Sequence, residues 1–221
     1  RSVSSPYTLS DMARDSVGVL DALDIESAHV IGASMGGMIA QRIAIETPER
    51  MRTLTALMTS AGRRRDALVS LRAVRALLRS PVIHNADDYA DSVVEFLDAV
   101  GSPGVERDLD ELRRVCHLIY ERGLNPAGFN RQLAAIIADG DRRAELADID
   151  VPTLVLHGLS DPLLSPAGGR ALADAIPGAR FEGIDGMGHD LPRNAWRTLT
   201  DHIVDHVVQS GDVLAERRIR A

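Results

Sequence analysis

The chain has 221 residues, 45% of them hydrophobic, and a formal net charge of −7, enough for one sizeable core with an inserted subdomain. The negative balance argues against a nucleic-acid partner, and the single cysteine, Cys116, excludes an internal disulfide. No apolar run reaches bilayer-spanning length and no signal-peptide pattern opens the chain, so the expectation is a cytoplasmic globular protein without membrane contact.

In chain order, residues 1–8 read as a polar loop. A helix then starts at Leu9-Ser10-Asp11, with Thr8 or Ser10 as N-cap and Met12, Val17, Val19, Leu20 and Leu23 as its apolar positions. A short β-run covers about 28–32, and a helix covers about 35–46 until Thr47-Pro48 ends it. Met51 to Met58 is the next strand. From about 63 to 146 every periodic segment reads as helix. Leu68, Leu71, Val74, Leu77 and Leu78 share one face; Tyr89, Val93, Phe96, Leu97 and Val100 share another. Leu112, Val115, Cys116 and Ile119 form a third, and Phe129, Leu133, Ile136 and Ile137 a fourth. Breaks fall at Ser80-Pro81, Gly101-Ser102-Pro103-Gly104 and Asn125-Pro126. Strands at 151–156 and 180–184 follow, with helices at 166–176 and 192–209 and a charged tail over 211–221. This alternation predicts an α/β fold with a mostly parallel sheet. The core comprises residues 1–61 and 147–221, and an all-helical cap of residues 62–146 lies over the strand ends. Tyr120, Phe129 and Gln132 are the expected pocket-wall residues of that cap.

Three loops carry chemistry. Gly32-Ala33-Ser34-Met35-Gly36 lies between the first strand and its helix without a gap. A bare G-x-S-x-G is common in ordinary turns; a strand before it and a helix after it make it a nucleophile elbow, whose glycines let the two elements approach. Val151 to Gly158 runs into Leu159-Ser160-Asp161-Pro162, which puts Asp161 just past a strand end, where open α/β sheets place their sites. His189 sits in Asp185-Gly186-Met187-Gly188-His189-Asp190 after the last strand. A serine hydroxyl needs a base, so His189 is expected to take the Ser34 proton and Asp161 to fix the imidazole tautomer. The N–H of Met35 is the expected oxyanion donor at the helix N-terminus. Asp185 and Asp190 flank His189 and compete for the acid role, but His-Gly-x-x-Asp after a strand favours Asp161.

Other titratable groups read as structural. His29 precedes a buried strand, and His157 suits a strand-end hydrogen-bonder near the acid loop. His202 and His206 are spaced i, i+4, yet without a third ligand they read as a solvated helix face. No metal is expected, and with neither G-x-G-x-x-G nor a Walker loop no cofactor is expected either.

With these strings the chain resembles the α/β-hydrolase superfamily, and within it the serine ester hydrolases of the aclacinomycin methylesterase type. Tyr7-Thr8-Leu9-Ser10-Asp11-Met12-Ala13, the elbow string through Gln41, Gly186 to Pro192, and the cap strings Arg131 to Ile136 and Gly140-Asp141-Arg142 carry the likeness. The resemblance implies hydrolysis of a small-molecule carboxylic ester through an acyl-enzyme. It equally accommodates cofactor-free perhydrolases of the haloperoxidase type, carbon–carbon bond hydrolases, or an inactive truncated relative. The resemblance further implies strands and an oxyanion loop upstream of Arg1, which leaves the second oxyanion donor outside this chain and the elbow strand as a sheet edge. The natural substrate and the oligomeric state are not readable.

Overall fold

The computed structural model describes residues 5–63, 70–79 and 81–220; the side chains of Pro126 and residues 212–220 lie outside that description. Leu68, expected on the first apolar face, also falls outside it. Helix α1 (Leu9–Ala22) opens with a reciprocal cap. Thr8 Oγ1 accepts the Asp11 N–H, and the Asp11 carboxylate accepts the Thr8 N–H, satisfying two otherwise orphaned donors. Thr8, not Ser10, is therefore the cap.

Four parallel strands follow in spatial order β1-β2-β3-β4: β1 (Ala28–Ala33), β2 (Met51–Leu57), β3 (Thr153–Gly158) and β4 (Arg180–Ile184). The third starts two residues later than expected, because Pro152 has no N–H to donate and only its carbonyl is used, accepting from Leu54 N–H. It is buried along its whole length. Helix α2 (Met35–Glu46) links β1 to β2, and α8 (Pro166–Ala175) links β3 to β4. On one face of the sheet, Ala13 of α1, Ala40, Ile43 and Ala44 of α2, and Leu172 and Ala173 of α8 pack with Leu54, Ala56 and Val155. On the other, Leu199 of α9 (Trp196–Arg220) packs with Leu57, Leu154, Leu156 and Ile184.

Two expectations about α9 are corrected. The stretch from 211 continues the helix to Arg220 instead of forming a separate tail; a single Gly211 costs a helix only about 1 kcal/mol. His206 does not face solvent. It is buried, and burial pushes its pKa down against the backbone acceptors on Leu54 and Pro152. Among the described residues β1 pairs only with β2, and Ile31 on its outward side is 54% exposed.

Between β2 and β3 lie α3 (Leu71–Leu77), α4 (Ala86–Val100), α5 (Leu109–Glu121), α6 (Pro126–Asp139) and the short α7 (Arg143–Leu146). The first of these departs from the expected apolar face. Ala73 is its buried residue and packs with Val100 and Leu163, whereas Leu71 and Leu78 point outward. The far end of the insertion is held by Arg142, which is fully buried. Its guanidinium donates to Gln41 Oε1 of α2, to the Ser60 carbonyl beyond β2, and to Asp139 at the end of α6. One side chain thus ties three segments distant in sequence.

Candidate active site

Ser34 is forced into an unusual backbone conformation, φ 52° and ψ −118°. A residue that is not glycine holds such angles only when its surroundings impose them, at about 1–3 kcal/mol. The surroundings are visible. Ser34 N–H donates to Leu57 O, and the Ser34 carbonyl accepts from Thr59 Oγ1 and from the Gly37 and Met38 N–H groups. A Cβ on Gly32 would lie 2.3 Å from Gly36 O, and one on Gly37 would lie 2.7 Å from Thr59 Cγ2. Gly36, the second glycine of the pentad, meets nothing within 4 Å. The close approach is therefore built by Gly32 and Gly37, a correction to the symmetric reading of the pentad. No side-chain cap covers the start of α2, so the Met35 N–H, outside the intrahelical ladder, stays available at the positive end of the helix.

Asp161 lies three residues beyond β3, inside a dense set of donors. Its Oδ1 accepts from the Leu163 and Leu164 N–H groups at 2.8 and 2.9 Å. Its Oδ2 stands 2.7 Å from His189 Nδ1 and 3.4 Å from His157 Nε2. Burial alone would raise the carboxyl, but hydrogen bonds from His157, His189 and the Leu164 N–H hold it down at about 2. An ionised carboxylate only accepts, so Nδ1 of His189 must carry the proton. The Nε2 lone pair is then free to accept, and Ser34 Oγ stands 3.0 Å from it. The three loops thus meet in one directional chain, able to draw the hydroxyl proton toward the imidazole.

The acid and histidine loops approach through Gly158, where a Cβ would sit 2.3 Å from Met187 O. Ser160 N–H also donates to that carbonyl. His157, fully buried, donates from Nε2 to Leu164 O and braces the turn that holds Asp161. His29, exposed on β1, bonds Thr53 Oγ1 well away from this chain. Asp185 is exposed, and Asp190 is engaged with Ser102.

A cavity of about 760 Å³ lies within the inserted helices, walled by Leu77, Val93, Phe96, Leu124, Phe129 and Gln132 among others. Phe129 and Gln132 lie on its wall, Tyr120, Ser34, Asp161 and His189 do not, and the Tyr120 hydroxyl donates to His84 O. For Tyr120 the reason is register on α5, where Ile119 faces the cavity and its neighbour is turned away by one helical step. A second depression, about 510 Å³, opens among Met51, Val151 and Pro152 at the starts of β2 and β3, the opposite end of the sheet from Ser34. Among the described residues no cluster of three or more His, Cys, Asp or Glu forms a metal site, and no helix is long and apolar enough to cross a membrane.

The family profile for the alpha/beta hydrolase fold matches residues 1–192. The chain belongs to the α/β-hydrolase family. This α/β-hydrolase is similar to rhodomycin D methylesterase DauP of Streptomyces sp. (strain C5), 32% identical, with 91% of this chain aligned to 74% of that protein. It is also similar to a 2-hydroxymuconate semialdehyde hydrolase of Pseudomonas sp. (strain CF600), 33% identical over 98% of this chain and 72% of the other. Among solved structures, a hydrolase of Pseudomonas aeruginosa superposes with a TM-score of 0.69 at 26% identity, covering 94% of this chain and 74% of that one. The protein is an enzyme of the hydrolase class.

Sequence reasoning passed over Ser102, Thr59 and Arg142. Apart from Asp139 beside Arg142, their partners lie 25 to 101 residues away, beyond the reach of any periodic signal.

Proposed function

We propose that this α/β-hydrolase cleaves a carboxylic ester of a small molecule through an acyl-enzyme on Ser34. The observation that carries the reading is the chain Ser34 Oγ, His189 Nε2, His189 Nδ1, Asp161 Oδ2, with spacings of 3.0 and 2.7 Å across the two hydrogen bonds. His189 takes the Ser34 proton as Oγ attacks the carbonyl carbon, then hands it to the departing alcohol. Asp161 stays ionised and stabilises the imidazolium. The Met35 N–H faces the oxyanion with the α2 dipole behind it; one such donor is typically worth ~10²–10³ in kcat. Water then repeats the sequence on the acyl-enzyme.

The inserted helices act as a cap in this reading, and their cavity takes the non-reacting part of the substrate. The likeness to a methylesterase supports an ester; the likeness to a semialdehyde hydrolase supports a carbon–carbon bond hydrolase built on the same three residues. A fluorophosphonate probe tests the common step. Stoichiometric labelling of Ser34 that is lost in S34A and H189A is expected; a folded chain that takes no label refutes the assignment. Turnover of a p-nitrophenyl ester panel against a vinylogous 1,5-diketone then separates ester from carbon–carbon cleavage.

A further inference from the structure

The loop that carries His189 is not held by the sheet alone. Its three consecutive residues Gly188, His189 and Asp190 all bond to the last residue of α4 or to the turn that follows it. His189 N–H donates to Val100 O at 2.7 Å, and Gly188 N–H donates to Ser102 Oγ at 2.9 Å. Asp190 Oδ1 accepts from the Ser102 N–H at 3.0 Å and from the Ser102 hydroxyl. Ser102 is 3% exposed and Val100 fully buried, so water competes little for these bonds and leaving one unmade is costly. The backbones touch. A Cβ on Gly188 would lie 2.4 Å from Gly101 C, and a Cβ on Gly101 would lie 2.8 Å from Asp190 Oδ2. The approach requires Gly188 to lack a Cβ, while on Gly101 the nearer obstacles are Arg107 Nη2 and Leu97 O of its own segment.

We propose that Ser102 and Asp190 form a latch through which the inserted helices position His189 against Ser34. Ser102 is the hinge point: its hydroxyl donates to Asp190 and accepts from Gly188 N–H, fixing the loop on both sides of the imidazole. The same α4 that ends in this turn lines the 760 Å³ cavity with Tyr89, Ser92, Val93 and Phe96. Whatever fills that cavity therefore bears on the element that holds His189. Ser102 and Asp190 are positioning residues, since neither touches Ser34 Oγ, and the proposal rests on His189 being the base assigned above. A base displaced by about 1 Å loses on the order of 10² in rate.

The test compares S102A, D190A and D190N, with kcat and KM on a p-nitrophenyl ester and the rate of fluorophosphonate capture by Ser34. Asparagine keeps an Oδ1 acceptor for both Ser102 donors; alanine removes it. S102A and D190A should lose ~10–10² in kcat and in capture rate with KM changed less than about threefold. D190N should recover most of the loss, and S102A/D190A should lose less than the two single effects combined, because both single variants remove the same hydroxyl–carboxylate bond. The His189 Nδ1 proton, displaced downfield by its bond to Asp161, reads the same geometry by NMR without turnover. That resonance should broaden in D190A and persist in D190N. If the unaltered chain shows no turnover, the ester-hydrolase reading fails while the resonance still decides the latch. If S102A proves unfolded, the D190A/D190N pair decides alone. Folded alanine variants with unaltered kcat and resonance overturn the latch, as does equal damage from D190N and D190A.

Discussion

Replacing Asp161 with asparagine changes one atom and inverts one hydrogen bond. The retained carbonyl oxygen still accepts from Leu163 and Leu164, so the turn keeps its geometry. The new NH₂ faces His189 Nδ1 across the former 2.7 Å contact, where two donors cannot meet. The imidazole must shift its proton to Nε2 and then has no lone pair for Ser34. A wrong tautomer in such a chain is worth roughly 10⁴ in kcat, or about 5.5 kcal/mol of transition-state stabilisation. KM should stay within a few-fold, since Asp161 is buried and does not reach the cavity wall. A stability effect accompanies it. The carboxyl is lowered from 3.8 to about 2, so its contribution is present in full above the unfolded value and fades as pH falls through about 2. At ~1.4 kcal/mol per unit this is about 2 kcal/mol at neutral pH. Steady-state kinetics on a p-nitrophenyl ester, with urea unfolding of both proteins at pH 7 and pH 2, reads both effects. A kcat within tenfold of the unaltered chain, or an equal fall in D185N, refutes the assignment of the acid; a stability gap that survives undiminished at pH 2 refutes its electrostatic origin.

The elbow glycines should separate cleanly by thermal melting. G32A places a methyl 2.3 Å from the Gly36 carbonyl and should lose more than about 3 kcal/mol or fail to fold, whereas G36A sits in open space within α2 and should gain about 0.5–1 kcal/mol from helix propensity; equal effects of the two would sink the argument. Arg142→Met removes the buried guanidinium and strands Gln41 Oε1 and Asp139 Oδ2, leaving Ser60 O only the Gln41 amide as donor. A loss of about 3–5 kcal/mol in urea unfolding is expected, and R142K should recover little, because an ammonium cannot reproduce the fork. A loss under 1 kcal/mol shows that Arg142 does not anchor the insertion.

Reading the sequence locates the elbow, the acid loop and the histidine loop because each lies at the end of a short β-run, most plainly apolar before the acid loop. In a parallel sheet every strand ends on the same side, so three strand-end residues converge without any long-range contact being inferred. Strand β3 illustrates both the strength and the limit. The run from Val151 to Gly158 is legible, yet Pro152 delays the ladder at its start, and pairing with Gly183 keeps His157 within the strand, where it braces Leu164 O. The helical insertion is legible as helix and far less so as surface. Leu71 and Leu78 satisfy a 3.6-residue period and still face outward, because α3 packs through the small Ala73.

What periodicity cannot supply is which loop meets which. Arg142 reads as a charged surface residue until Gln41, 101 residues earlier, and Ser60 O are brought against it. Asp190 reads as a rival to Asp161, since it is the histidine's neighbour in sequence while Asp161 lies 28 residues earlier. The two carboxylates differ in who else needs each of them. Asp161 has two backbone donors on one oxygen and two imidazoles on the other, which leaves it ionised and aimed at Nδ1. Asp190 is consumed by Ser102, 88 residues away. The sequence carries no signal for that contact, because the two glycines at it are needed for different reasons. A Cβ on Gly101 would first meet Arg107 Nη2 and Leu97 O of its own segment, at 2.3 and 2.6 Å, so its own helix end already requires it. A Cβ on Gly188 would meet Gly101 C at 2.4 Å, so Gly188 is the glycine that lets the end of α4 come to rest one residue from His189.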